Sequence, residues 1–174
     1  KLSNGAILNK MTFKGMTGWV PGSTAEDITT STPAGICVGF NEASPITTKS
    51  PYVLECSFIG AGGIGAYVNG SAHATGNKSM IFHGYTIISD NGVGYWVDNG
   101  GLAELVSNFT YFCYFGYTCT DGSKIRSLNG NCSYGTWGAS SSGFDVNETP
   151  ITGAIVGQQI KAVYISGTIN VGDT

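Results

Sequence analysis

A glycine recurs every 22 residues in the second half of the chain, and this spacing limits the possible folds more than any other feature. The glycines are Gly94, Gly116 and Gly138, each preceded by an apolar or aromatic residue in the segments VGYWVDNGG, FGYTCTDGS and WGASSSG. A repeat of this length is too short for a helical hairpin but suits three short strands joined by turns. Residues 80–143 are therefore predicted to form stacked coils of a parallel β-helix.

Residues one repeat apart should share a chemical character, because equivalent positions stack in such a fold. The predicted columns are Ile81, Ala103 and Ile125; Ile87 and Phe109, which Asn131 ends; Val93, Phe115 and Trp137; Tyr95, Tyr117 and Ala139; and Val97 and Cys119, which Ser141 ends. We expect these side chains to fill the interior, each contributing about 1.5–3 kcal/mol through burial of apolar surface.

The turns are expected to recur with the strands. The pairs Asn69-Gly70, Asn99-Gly100, Asp121-Gly122 and Ser142-Gly143 each follow an aligned glycine by four to six residues. Asn or Asp before Gly suits a turn that needs positive φ.

The coils are predicted to extend toward the N-terminus, because Gly65 and Gly18 have the same sequence context as Gly94. Residues 1–150 then form one all-β domain of about 22 residues per coil, with a loop insertion near residues 23–47 that is rich in Thr, Ser, Pro and Gly. The repeat is lost beyond Pro150. Residues 151–174 are predicted to be a short C-terminal β segment, either a cap or the start of a following domain.

Composition excludes several classes of partner. The eight Lys and Arg residues are scattered singly and the net charge is −3, so no nucleic-acid partner is expected. No apolar run is long enough for a membrane span. Five cysteines without a CxxC pair indicate reduced thiols and no metal site. Gly60–Gly65 resembles a phosphate-binding loop, but AYVNG follows it in place of a helix, so no cofactor is expected.

Carboxylates offer weak grounds for catalysis. Asp90, Asp98 and Glu104 could serve a glycosidase, although nothing in the sequence brings two of them together. Glu104 is expected to stack on Arg126 as an exposed ion pair. His83, expected to stack on Leu105, and His73, in a predicted loop, are interpreted as satisfied or solvated side chains. We therefore assign no catalytic residues and favour a non-enzymatic role.

Outward-pointing aromatic residues are the better candidates for a site. If Phe109, Tyr111 and Phe115 point inward, then Phe112 and Tyr114 point outward, and Tyr67 and Trp96 join them. Exposed aromatic rings on a rigid face can stack on sugar rings or bury against identical subunits. Tyr67, Trp96, Phe112 and Tyr114 are therefore candidate glycan or subunit contacts, with subunit packing favoured.

Long segments of the chain resemble virion structural proteins of contractile-tailed marine cyanophages. The segments are SPITTKSPYVLECSFIG (Ser44–Gly60), GNKSMIFHGYTIISDNGVGYWV (Gly76–Val97), IRSLNGNCSYGTWG (Ile125–Gly138), MTFKGMTG (Met11–Gly18) and GFDVNETP (Gly143–Pro150). The resemblance covers roughly residues 10–150.

This resemblance implies a tail-fibre or baseplate-associated component of the phage tail, exposed outside the host cell, with a right-handed parallel β-helix. It implies a homotrimer that contacts other tail proteins, takes part in host attachment and contacts a host surface glycan. It supplies no catalytic motif. The alternative is a tailspike-like depolymerase, a lyase or glycoside hydrolase that cleaves host surface polysaccharide.

Overall fold

The computed structural model describes residues 1–20, 35–40, 49–70 and 79–141, and the backbone of two further strands at 153–159 and 162–167. All described elements of regular structure longer than a single turn are β-strands. No helix in these residues is long and apolar enough to cross a membrane.

Fifteen strands form three parallel sheets of five, and each sheet takes every third strand of the chain. The first sheet contains β1 (Ile7–Asn9), β4 (Tyr52–Leu54), β7 (Met80–His83), β10 (Leu102–Val106) and β13 (Lys124–Leu128). The second contains β2 (Thr12–Lys14), β5 (Ser57–Ala61), β8 (Thr86–Asp90), β11 (Phe109–Tyr111) and β14 (Asn131–Ser133). The third contains β3 (Ile36–Gly39), β6 (Ile64–Asn69), β9 (Val93–Asp98), β12 (Phe115–Cys119) and β15 (Trp137–Ser141).

Three consecutive strands, one from each sheet, form a repeating unit that we call a rung. The chain therefore passes through five rungs, and the strands of each rung pair in parallel with those of the next. This strand order is the one that a parallel β-helix requires. A separate antiparallel hairpin of β16 (Gly153–Gln159) and β17 (Ala162–Gly167) lies in the range predicted as a C-terminal β segment.

The predicted 22-residue step is confirmed throughout the third sheet from β9 onward. Val93, Phe115 and Trp137 are aligned, as are Tyr95, Tyr117 and Ala139, and Val97, Cys119 and Ser141. The first and second sheets follow the same step between the last two rungs, where Glu104 pairs with Arg126 and Phe109 with Asn131.

Two predicted columns are wrong by one residue between the third and fourth rungs. Ala103 aligns with Met80, not with Ile81, and Ile87 aligns with Thr110, not with Phe109. His83 likewise pairs with Val106 and not with Leu105. Since side chains alternate along a strand, this slip exchanges inner for outer positions.

One corner of the fold explains the slip. The step from Thr86 to Val93 is seven residues, whereas the equivalent step from Phe109 to Phe115 is six. The fourth rung therefore lacks one residue between the second and third sheets. Between the third and fourth rungs, paired residues are therefore 23 apart in the first and second sheets and 22 apart in the third sheet.

Residues with positive φ end the strands at the corners. Between the first and second sheets, each of the five rungs has one, namely Lys10, Glu55, Gly84, Ser107 and Asn129. Between the second and third sheets they are Gly15, Gly62, Asn91, Phe112 and Tyr134. The predicted turns Asn99-Gly100 and Asp121-Gly122 are confirmed, since all four residues have positive φ.

The aligned glycines mark close approaches to the neighbouring sheet and to the next rung of their own sheet. A Cβ atom on Gly65 would lie 2.4 Å from Ile87 Cδ1, and one on Gly94 would lie 2.3 Å from the Gly116 carbonyl oxygen. No side chain fits at these positions without displacement. Strand pairing places Cys37, not Gly18, in the first-rung position of this column, so the alignment of Gly18 is wrong. The predicted insertion at 23–47 contains β3, and its other residues lie largely outside the described ranges.

The inner core lies between the three sheets. Its fully buried side chains include Val53, Phe58, Met80, Phe82, Tyr85, Ile87, Tyr95, Val97 and Leu105. Several of the buried polar groups are paired: Tyr85 Oη donates to the Gly65 carbonyl at 2.9 Å, and Asn108 Oδ1 accepts from the Tyr85 amide at 2.7 Å. The space between the sheets is therefore filled by packed side chains in these residues.

Candidate functional site

Two of the four aromatic residues predicted to be exposed are buried. Tyr67 is 2% exposed and Trp96 is 4% exposed. Both lie on the outer face of the third sheet, where they form a second apolar cluster with Ile64, Val93 and Trp19. The expected exposure of Tyr67 and Trp96 is wrong because Trp19, which precedes β3 in the chain, covers this face.

Tyr114 also belongs to this outer cluster, half-buried against Trp19 at a ring-centroid distance of 5.7 Å. Phe112 is different, since its ring is 47% exposed. The inward orientation expected for Phe109 and Tyr111 is wrong as well, because Thr110 between them is the buried residue. Contact of these residues with a glycan or a subunit stays a prediction.

Asp98 is the buried carboxylate of the outer cluster. Its Oδ1 accepts a hydrogen bond from Thr120 Oγ1 at 2.6 Å, and its Oδ2 accepts from Tyr67 Oη at 3.2 Å and from Asn99 Nδ2 at 3.4 Å. Trp96 Nε1 donates to Thr120 Oγ1 at 3.1 Å. This carboxylate therefore connects three rungs through Tyr67, Asp98 and Thr120 beneath aromatic residues, which is a structural arrangement.

The three carboxylates considered for hydrolysis belong to three different sheets. Asp90 ends β8, Asp98 ends β9 and Glu104 lies within β10. Glu104 makes the predicted contact with Arg126, whose Nη1 lies 3.1 Å from Oε1. A glycosidase needs two carboxyl groups facing one bond, whereas these three residues are distributed over three sheets. His83 is exposed at the end of β7, and His73 lies outside the described residues.

Large side chains are exposed on the fifth rung. Tyr134 is 80% exposed and Trp137 is 54% exposed. Trp137 was predicted to be internal, but its column with Val93 and Phe115 faces outward from the third sheet. The Tyr134 ring stacks on Phe112 with centroids 5.7 Å apart and ring planes 22° apart.

A pocket of about 70 Å³ opens beside these rings. It is lined by Thr110, Cys113, Gly116, Cys132, Ser133, Tyr134, Gly135, Trp137 and Gly138. None of these side chains carries a formal charge at neutral pH. Thr110 is buried, and its Oγ1 has no hydrogen-bond partner of acceptable geometry in the protein.

The cysteines are free thiols. Burial raises the pKa of Cys113 to about 12 and the pKa values of Cys37 and Cys119 to about 11. Because the thiolate is the nucleophile, these groups are unreactive near neutral pH. Among the described residues, no group of three or more His, Cys, Asp or Glu side chains is arranged to hold a metal ion.

The sequence did contain a partial signal for the fifth-rung surface. Tyr134 takes the corner position of Phe112, so the exposure predicted for Phe112 could have been extended to it by counting 22 residues. Trp137 could not be assigned this way, because its column is covered in the earlier rungs.

No protein-family profile, curated protein or solved structure matches the chain. Its function is therefore inferred from its own geometry and from the segments discussed above.

Proposed function

We propose that this protein is a rigid structural component of a phage virion, built on a right-handed parallel β-helix in the tail fibre or baseplate. The observation that carries the proposal is the unbroken ladder of parallel strand pairs across five rungs. Hydrogen bonds between all successive rungs resist bending and shear, which a shaft that transmits or withstands force requires.

Right-handedness is supported by the chirality of parallel strand connections, which are right-handed in about 98% of cases when the strands share a sheet. The resemblance to cyanophage virion proteins supports the assignment to a tail. Free thiols in a well-filled core are consistent with folding inside a host cell before release with the particle, since cytosolic proteins rarely depend on disulfides.

Host attachment by a homotrimer belongs to the same proposal. A single stack that leaves Phe112, Tyr134 and Trp137 exposed has aromatic surface available for a host glycan, an identical subunit or a neighbouring tail protein. The separation of Asp90, Asp98 and Glu104 gives the depolymerase alternative no comparable support.

The test is to locate the protein in intact particles. We expect antibodies raised against the purified chain to label the tail of virions in immunogold electron microscopy, and light scattering to give the mass of a trimer. Purified virions that lack the protein by mass spectrometry would overturn the proposal. Release of reducing sugar from host polysaccharide, lost in folded variants of Asp90→Asn, Asp98→Asn or Glu104→Gln, would replace it with the depolymerase.

A further inference from the structure

The neighbouring corners of the fourth and fifth rungs combine three features: bulky residues at positive φ, an exposed stack of two aromatic rings and an adjacent pocket. Phe112 and Tyr134 both adopt positive φ, at 60° and 59°. Bulky side chains rarely occupy this conformation, which favours Gly and Asn. The equivalent residues of the second and third rungs, Gly62 and Asn91, are of that favoured kind.

The strained backbone holds two aromatic rings in an exposed stack. With Tyr134 more exposed than Phe112, the pair presents ring surface to solvent in place of burying it. Burial of apolar area therefore offsets only part of the backbone cost. The Phe112 amide donates to the Ser133 carbonyl at 3.1 Å, so the neighbouring rung holds this corner in place. Backbone strain that is held by its surroundings clusters at binding sites.

The adjacent pocket specifies the chemistry of a ligand. Its walls carry the indole of Trp137 and the phenol ring of Tyr134, and Thr110 contributes a buried hydroxyl without a satisfactory partner. The Cys132 thiol lies beside that hydroxyl, and sulfur is only a weak acceptor. An anion or a cation would find no counter-charge in this lining, so a neutral ligand with hydroxyl groups fits best.

We infer that Phe112, Tyr134 and Trp137 form a binding site for a neutral carbohydrate. A pyranose ring stacks on the Tyr134 and Trp137 rings through its C–H face, because sugar C–H groups are attracted to the electron-rich face of an aromatic ring. The pocket is smaller than a whole sugar, so a hydroxyl or hydroxymethyl substituent enters it toward Thr110. This inference deepens the attachment function proposed above and rests on it, since it names the ligand class.

The test uses neutral hexaoses of glucose, galactose and mannose, with hexagalacturonate as the anionic comparison. We expect at least one neutral hexaose to change the tryptophan fluorescence and to give saturation-transfer signals by NMR. Trp137→Ala and Tyr134→Ala should each weaken binding tenfold or more, whereas Tyr134→Phe should retain most of it. Ile7→Ala, which removes an equally exposed apolar side chain from the first rung, is the matched control and should bind normally.

Trp137→Ala and Tyr134→Ala alter exposed side chains, and circular dichroism verifies that these variants remain folded. Absence of binding to all three neutral hexaoses, or binding that Trp137→Ala and Tyr134→Ala leave unchanged, would overturn the inference. So would conversion of an oligomer to a monomer by Trp137→Ala without any saccharide binding, because the surface would then be a subunit interface. A protein found in virions that binds no sugar refutes the site alone. Sugar binding by a protein absent from virions refutes the location alone.

Discussion

At the scale of single residues, the corners depend on which side chains tolerate positive φ. Gly84 is the glycine among the five positive-φ residues between the first and second sheets. Its φ is 65°, and Glu55 and Ser107 hold the same position in the neighbouring rungs. A Cβ atom there would be 3.7 Å from its nearest neighbours, which is ordinary contact. Substitution at this position therefore tests backbone conformation without steric crowding.

We predict that Gly84→Ala lowers the free energy of unfolding by about 1–2 kcal/mol, the cost of placing an L-residue in the left-handed region. Gly84→Asn should cost less, because Asn tolerates this conformation and already occupies it at Asn129. Urea denaturation of the three proteins measures the difference. Equal stabilities for the Ala and Asn variants would contradict the assignment of strain to φ.

Asp98 provides a second test at this scale. Asp98→Ala removes the acceptor of the Thr120 and Tyr67 hydroxyl groups, and an unsatisfied buried donor costs about 1–3 kcal/mol. We predict a loss of at least 2 kcal/mol in urea denaturation. Asp90→Ala, at an exposed carboxylate on the neighbouring strand, should change stability by less than about 0.5 kcal/mol. Comparable effects in the two variants would show that the hydrogen bonds of Asp98 contribute no more than an ordinary surface group.

At the scale of the strand, the glycine column requires close approach at some rungs and not at others. A Cβ atom on Gly94 would meet the Gly116 carbonyl oxygen, whereas one on Gly138 would be 4.0 Å from Cys132 Cβ. Both residues hold the same position in their strands. The fourth rung lies beyond Gly94, whereas the described residues include no rung beyond Gly138.

Gly94→Ala should therefore destabilise the protein by about 3 kcal/mol or more, since backbone must move to admit the methyl group. Gly138→Ala should change the free energy of unfolding by less than about 1 kcal/mol. Thermal and urea denaturation of both variants provide the comparison. If Gly138→Ala proved as damaging as Gly94→Ala, a further layer of protein would have to cover the fifth rung.

The strand register could be predicted only where the corners kept their length. The third sheet was correct because Val93, Phe115 and Trp137 are separated by constant intervals. In the first two sheets the register shifted by one, because the fourth rung lacks a residue between its second and third strands. Met80 therefore pairs with Ala103 in place of Ile81, and Thr110 pairs with Ile87 in place of Phe109. Hydrophobicity could not reveal this slip, because Met80, Ile81 and Phe82 are all apolar.

The aromatic site was predictable to the same limited extent. Burial of Tyr67 and Trp96 depends on Trp19, which lies outside the repeat and so follows no periodic rule. Trp137 is exposed whereas Val93 in the same column is buried, and the repeat alone carries no information about which members of a column are covered. Phe112 is exposed as predicted, although the alternation that predicted it placed Phe109 and Tyr111 wrongly; the corner at Phe112, with φ 60°, interrupts that alternation.

At the scale of the whole molecule, the interior contains many groups that must ionise on unfolding at high pH. Burial raises the pKa values of Cys37 and Cys119 from 9.0 to about 11, of Cys113 from 9.0 to about 12, and of Tyr117 from 10.0 to about 12. It raises the pKa values of Tyr85 and Tyr95 well above 10.0. All of these groups are neutral in the folded protein at physiological pH.

The direction of the resulting pH dependence follows from proton linkage. A group with a raised folded-state pKa stays protonated when folded but loses its proton when unfolded, once the pH exceeds its unfolded pKa. The contribution of such a group to the free energy of unfolding is complete below its unfolded pKa and declines as the pH rises toward its folded pKa. The thiols therefore lower stability from about pH 9 upward, and the tyrosines add to this effect from about pH 10.

We predict a melting temperature that these groups leave unchanged between pH 7 and 8.5 and that falls progressively from pH 9 to 11, in buffers containing a reductant. Cys119→Ala should flatten this decline by removing one ionising group, and its far-ultraviolet spectrum at pH 7 verifies the fold. Scanning fluorimetry or circular dichroism over this range measures both curves. A melting temperature that stayed constant to pH 11 would mean that the thiols and phenols contact solvent in the folded protein, which is incompatible with the closely packed interior between the three sheets.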